Sequence, residues 1–177
     1  MLAGERVGLR SRRDTVVLIL QSELYDDVET QSRADSRPWR PLPPGSSGSP
    51  YAVTDPTDDT AGFSVVTLPG DELAGEAQLW GIDVHNRRAH IGLSLRPAFR
   101  GRGLGTDVVR VLCHYGFVVR GLHRLQIETL ADNAAMIRVA ASVGFTPEGT
   151  LRQAAWVQGS FADEVILGLL AAHWRPA

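Results

Sequence analysis

The 177-residue sequence predicts a mixed α+β (α/β) fold, a mixed sheet with helices on its faces, and three observations carry that prediction. Short segments such as Arg6–Arg10 and Arg88–Leu95 alternate apolar and polar residues at the period of a strand. Leu104–Arg120 and Asn133–Val143 instead space their apolar residues helically. The resulting order is strands, helix, strand, helix, strands, which fits one mixed sheet rather than a series of β-α-β repeats.

In chain order, Arg6–Arg10 opens as a strand with Val7 and Leu9 on one face, and Asp14 is placed to cap a helix running to Glu23. From Thr30 to Ala61 the six prolines 38, 41, 43, 44, 50 and 56 alternate with serines, glycines and aspartates, predicting a long irregular loop. Trp39 and Tyr51 within it point to a loop folded over a substrate pocket. Strands follow at Phe63–Leu68, Gly75–Asp83 and Arg88–Leu95, the last two joined by a turn at His85–Arg88. After the helix from Leu104, His123–Leu130 reads as a strand, and the second helix ends at Gly144, a natural left-handed terminus. Phe145–Arg152 and Asp163–Leu170 close the pattern as strands around a turn at Gln158-Gly159-Ser160. No repeat or boundary divides the chain, so a single domain over 1–177 is expected.

Composition narrows the function. The net charge of −2 gives no electrostatic footprint for nucleic acid. All 18 cationic residues are arginine, which removes Schiff-base chemistry and the phosphate-binding lysine of a P-loop. Cys113 is alone, so no internal disulfide forms, and its apolar helical setting makes it a core residue. Met1–Arg13 lacks the apolar run of a secretory leader, and Val165–Ala172 is too short to span a bilayer. A cytoplasmic protein without membrane or metal is expected.

The segment richest in chemistry is Arg100-Gly101-Arg102-Gly103-Leu104-Gly105-Thr106, set between a strand and a helix. A helix N-terminus presents unpaired N–H groups and the positive end of the helix dipole, glycines let backbone approach a phosphate closely, and arginines add charge-assisted contacts. A dinucleotide fingerprint is the competing reading, with Glu128 as its distant acid. Its third glycine would fall one residue later than Gly105, and Arg96–Arg100 would not intervene between strand and glycines.

Arg100-Gly101-Arg102-Gly103-Leu104-Gly105 resembles the Arg/Gln-x-x-Gly-x-Gly/Ala signature of the GNAT N-acetyltransferase superfamily. Gly75-Glu76, Arg88–Gly92, Asn133 with Gly144-Phe145, and Glu148–Arg152 look like its ribosomal-protein N-terminal and spermidine acetyltransferase branches. The similarity runs from about Gly62 to Trp174. It implies acetyl-CoA as cosubstrate, an amine acceptor (protein N-terminus, polyamine or other small amine), and a sheet splayed between Arg88–Leu95 and His123–Leu130. It further implies pantetheine against the backbone of Leu93, Ser94 and Leu95, with Asn133 reaching the cofactor arm and Arg138 a phosphate. Asn133 is also expected to cap its helix. A homodimer is an expectation of the resemblance alone.

Amine attack on a thioester requires a proton acceptor and donors for the oxyanion, which backbone N–H groups of the splayed strand supply in this reading. The candidate bases are His90, Glu76 and Glu128, in that order. His90 shares a strand face with Gly92 and Ser94. Spermidine-type relatives carry a tyrosine where this chain has Ala140, and ribosomal-type relatives often a serine where it has Met136. Water or another hydroxyl such as Ser142 is therefore expected to protonate the thiolate, and a CoA-binding module with little or no turnover is the alternative. Asp55, Asp58, Asp59, Asp71 and Glu72 are available for a polyamine site or for a solvated acidic surface.

Overall fold

A computed structural model describes residues 1–176. Its strands are β1 (Leu2–Ala3), β2 (Val7–Ser11), β3 (Thr60–Thr67), β4 (Leu73–Asp83), β5 (Arg88–Leu95), β6 (Arg124–Leu130), β7 (Thr146–Val157) and β8 (Ser160–Leu170). Its helices are α1 (Asp14–Leu20), α2 (Val28–Ala34), α3 (Leu104–His114) and α4 (Ala134–Val143). The strands form one eight-stranded sheet in the order β1-β2-β3-β4-β5-β6-β8-β7. Every neighbouring pair is antiparallel except β5–β6, which is parallel.

That exception shapes the molecule. β5 and β6 are paired only where Arg88–His90 face Arg124–Gln126. Beyond His90 they part, β5 staying on β4 and β6 staying on β8. The backbone edges that face each other across this gap must find other partners, which makes the gap a place for a ligand with amide groups.

Alternation decides which face is core. Ala89 and Ile91 of β5, Leu125 and Ile127 of β6, and Leu167 and Leu169 of β8 are buried against Leu104, Val108 and Leu112 of α3. Burying each of the leucine, isoleucine and valine side chains in this set stabilises the fold by roughly 1.5–3 kcal/mol. Cys113 lies in this core, where burial pushes its thiol up. Both α1 and α3 run on into π-helical turns, Gln21–Tyr25 and Tyr115–Val119. Asn133 caps α4, its side chain accepting the Met136 N–H at 3.2 Å, and Gly144 ends it at φ 104°.

Three sequence expectations are corrected. Asp14 is the first residue of α1 rather than its cap; Arg13 holds the cap position, and the Asp14 carboxylate favours the positive end of the helix by charge. The segment from Thr30 is not irregular at its start, because α2 covers Val28–Ala34 with Asp27 as its cap. Trp39 and Tyr51 do not line the main cavity, although Thr30 and Ser32–Ser36 from the start of the same span do. The two aromatics pack with Val16, Leu20, Leu24, Tyr25 and Leu73 in a second apolar cluster against α1, which ties the proline-rich loop to the sheet.

Candidate functional site

The parting of β5 from β6 opens a cavity of about 960 Å³ that passes between the half-sheets. Of the residues expected to hold a cofactor, Leu93, Ser94, Leu95, Arg100, Gly101, Gly103, Leu104, Gly105, Thr106, Asn133 and Arg138 all line it. Arg102 is not among the lining residues. Its guanidinium lies over the Phe99 ring, 5.4 Å from the centroid, and its carbonyl accepts a 2.6 Å hydrogen bond from Arg6 Nη1.

The loop has the form an anion requires. Gly101 and Gly103 have φ of 71° and 75°, a region costly for any residue with a Cβ, and Gly103 is the left-handed cap of α3. No side chain caps this helix, so its first N–H groups open into the cavity. Arg100 donates its Nε to Leu95 O at 2.9 Å, which leaves both terminal nitrogens available. Among the described residues neither Arg100 nor Arg138 has a carboxylate within ion-pair distance. The gap, the free helix end and two unneutralised cations together fit a diphosphate joined to an extended amide-bearing arm.

The same cavity also carries carboxylates. Asp35, Glu128, Asp132 and Glu164 line it, and Arg33 joins Arg100 and Arg138 as a lining cation. Arg33 Nη2 meets Asp132 Oδ1 at 2.6 Å, joining α2 to the turn before α4 across the mouth. Asp35 is held by Arg37, whose hydrogen bonds and charge keep its carboxyl below the usual range despite partial burial. The Glu164 carboxylate makes no ion pair among the described residues. Asp55, Asp58, Asp59, Asp71 and Glu72 lie elsewhere: none lines the cavity, and Asp71 is paired with Arg10 at 2.5 Å.

The three candidate bases separate into two places. His90 and Glu128 come together across the β5–β6 pair, with His90 Nδ1 3.4 Å from Glu128 Oε1. Burial is the main reason that His90 sits below its ordinary pKa, with Glu128 opposing and Arg88 and Arg124 assisting, so its imidazole is neutral at pH 7. It stacks on Trp80 with centroids 4.1 Å apart, and Nδ1 is buried without a hydrogen-bond partner. Glu128 lines the cavity and His90 does not.

Glu76 stands apart. It faces Ser94 across β4–β5, four residues along the register from the Trp80–His90 pair, a distance of about 13 Å at the rise of a strand. It is buried, 3.5 Å from Arg12, and outside the cavity lining. Burial outweighs Arg12 and raises its pKa to about 7. Neither expected acid position offers a donor, since Ala140 is buried in the core and Met136 lines the cavity. Ser142 reaches the cavity, its hydroxyl donating to Val139 O at 2.7 Å.

Sequence reasoning missed the contribution of α2, of Ala154–Trp156 on β7, and of Glu164. None carries a local signal, because each reaches the cavity only through folding.

A family model described as the acetyltransferase (GNAT) domain matches residues 9–146. YdaF of Bacillus subtilis, a putative ribosomal N-acetyltransferase, is 32% identical over 117 residues, 66% of this chain and 64% of its own length. Spermidine N(1)-acetyltransferase of Escherichia coli is 29% identical over 110 residues, 59% of each chain. The chain spans a little under two thirds of the length of the curated relatives that match it, 63% and 64% for two of them. The Vibrio cholerae spermidine N-acetyltransferase solved with CoA and spermine shares the fold, at a TM-score of 0.79 and 17% identity over 94% of this chain and 96% of that one. RimL, a ribosomal-protein alpha-N-acetyltransferase in complex with coenzyme A, does so at a TM-score of 0.74 and 20% identity over 96% of each chain.

Proposed function

The chain belongs to the GNAT acetyltransferase family, related to its ribosomal-protein and spermidine branches, and from that premise we propose that residues 1–177 form one domain that transfers an acetyl group from acetyl-CoA to a cationic amine. The observation that carries the reading is that one cavity gathers an uncapped helix end with Arg100 and Arg138 and also four carboxylates, Asp35, Glu128, Asp132 and Glu164.

The N–H groups that begin α3, with Arg100 and Arg138, hold the diphosphate. The free edge of β5 at Leu93, Ser94 and Leu95 takes the amides of the pantetheine arm, and Asn133 borders it while capping α4. Bound acetyl-CoA supplies an activated thioester that the neutral amine attacks, releasing the thiol. The cavity carboxylates draw in the acceptor as its ammonium ion. Glu128 then takes the proton, because it alone of the three candidates lines the cavity. His90 supports it from 3.4 Å as a neutral ring, and Glu76 serves the structure. Water protonates the departing thiolate, with Ser142 as one cavity-lining hydroxyl able to assist.

The test is release of free thiol from acetyl-CoA in the presence of a monoamine, a diamine, spermine and a peptide with a free N-terminus. The reading expects release with amines and faster release with a second cationic group. The lack of a side-chain acid at Met136 and Ala140 favours one other reading, a CoA-binding module without turnover. Saturable CoA binding with no thiol release from any acceptor would select it.

A further inference from the structure

Glu128 is not alone on its face of the sheet. Gln126, two residues earlier, occupies the last bonded position before β5 and β6 part, opposite His90 on one side and Gly168 of β8 on the other. Strand alternation puts Arg124, Gln126 and Glu128 on one face. Their side chains form a connected series: Arg124 Nη2 donates to Gln126 Oε1 at 2.9 Å, and Gln126 Nε2 donates to Glu128 Oε1 at 2.6 Å. The series is anchored at its far end, where the Arg124 guanidinium grips both oxygens of Glu148 on β7, one at 2.7 Å.

The direction of these bonds is fixed by chemistry. Arginine only donates and a carboxylate only accepts, so the amide between them must turn its oxygen to Arg124 and its nitrogen to Glu128. No other neutral side chain of that length joins the two. The anchor is built into the backbone as well. A Cβ at Gly168 would overlap Glu148 Oε1 and come within 2.7 Å of Arg124 Nη1, so the glycine leaves the space the ion pair fills. Arg124 holds the Glu148 carboxyl below its ordinary range, which keeps the anchor charged at neutral pH.

Half-exposed bonds of this kind contribute little to stability, and the sheet is held by its backbone ladder. What they do accomplish is orientation. Glu128 Oε1 is committed to Gln126, with His90 on the same oxygen, while Oε2 has no partner among the described residues. We propose that Gln126, braced by the Arg124–Glu148 ion pair, is a positioning residue that fixes the Glu128 carboxylate with one oxygen directed at the acceptor amine. The proposal rests on the reading of Glu128 as the base.

The test uses the full chain, acetyl-CoA and the fastest acceptor of the amine panel. Gln126→Leu removes both bonds and lowers kcat roughly ten- to a hundredfold, the cost of a misplaced reacting group, while KM for acetyl-CoA stays unchanged. Gln126→Glu keeps the bond to Arg124, sets a like charge beside Glu128, and loses at least as much. Gly168→Ala displaces only the anchor and loses less than either. A Gln126→Leu/Glu128→Gln double variant is no slower than Glu128→Gln alone, because Gln126 acts only through Glu128; a merely structural role would make the two losses multiply. In crystals of Gln126→Leu the Glu128 carboxylate leaves its place. A carboxylate that stays put, or a Gln126→Leu enzyme at the wild-type rate beside a crippled Glu128→Gln, overturns the positioning role. Full activity in Glu128→Gln removes the base itself, and the proposal with it.

Discussion

The two ends of the cavity are built by opposite means. The end proposed to hold the cofactor comes chiefly from one continuous stretch, Leu93–Thr106, and offers mostly backbone: a strand edge, two left-handed glycines and a helix terminus. The end proposed for the acceptor is made of side chains from α2, β6, the turn before α4, β7 and β8, segments separated by more than a hundred positions. In the proposed reading, backbone architecture recognises what every acetyl-CoA shares. Side chains drawn from distant segments change one at a time without disturbing the sheet, so the acceptor end is where specificity is free to vary.

Substitutions should therefore affect the two ends differently. The largest effect is expected from Glu128→Gln, which should lower kcat by roughly 10²–10⁴ while leaving the CoA dissociation constant unchanged. Glu76→Gln sharpens the comparison, since Glu76 lies outside both ends. Its kcat should stay within about threefold of wild type, and its effect should appear in stability against pH. Because the folded Glu76 pKa is raised from 4.5 to about 7, the folded protein holds a proton that the unfolded chain releases over that interval. The contribution to stability is complete below 4.5 and lost as pH rises through about 7. It amounts to at most about 3 kcal/mol, and denaturant unfolding at pH 5 and pH 8 should show the slope flattened in the variant.

Gly103→Val probes the cofactor end. A β-branched residue at φ 75° costs about 1–3 kcal/mol, so CoA should bind roughly ten- to a hundredfold more weakly while the acceptor KM is little changed. Arg138→Ala should weaken CoA about three- to tenfold, with the loss shrinking at high salt. The smallest effect is expected from Arg33→Ala, which opens an exposed ion pair and should move the acceptor KM by less than about threefold.

The same contrast explains what the amino-acid order revealed. The positions of strands β2 to β8 were legible in outline, and β5 matches its expected span of Arg88–Leu95, whereas β7 runs on to Val157, five residues past the expected end at Arg152. The glycine-arginine loop was legible because strand, glycines and helix are contiguous, although Arg102 shared the pattern and turned to Phe99 instead. Helix α2 was not, since Val-Glu-Thr-Gln-Ser-Arg-Ala has no apolar stripe and is fixed by its Asp27 cap and its neighbours. The choice among His90, Glu76 and Glu128 was likewise hidden. Which of them reaches the cavity depends on where β5 and β6 separate, a property of pairing register rather than of any one segment.

Calorimetric titration of coenzyme A into the wild-type protein and into Gly103→Val tests the central claim most directly. One saturable site in the wild type, markedly weakened by the single substitution, is the predicted result. No binding heat in the wild type, or equal affinity in both proteins, would contradict the account.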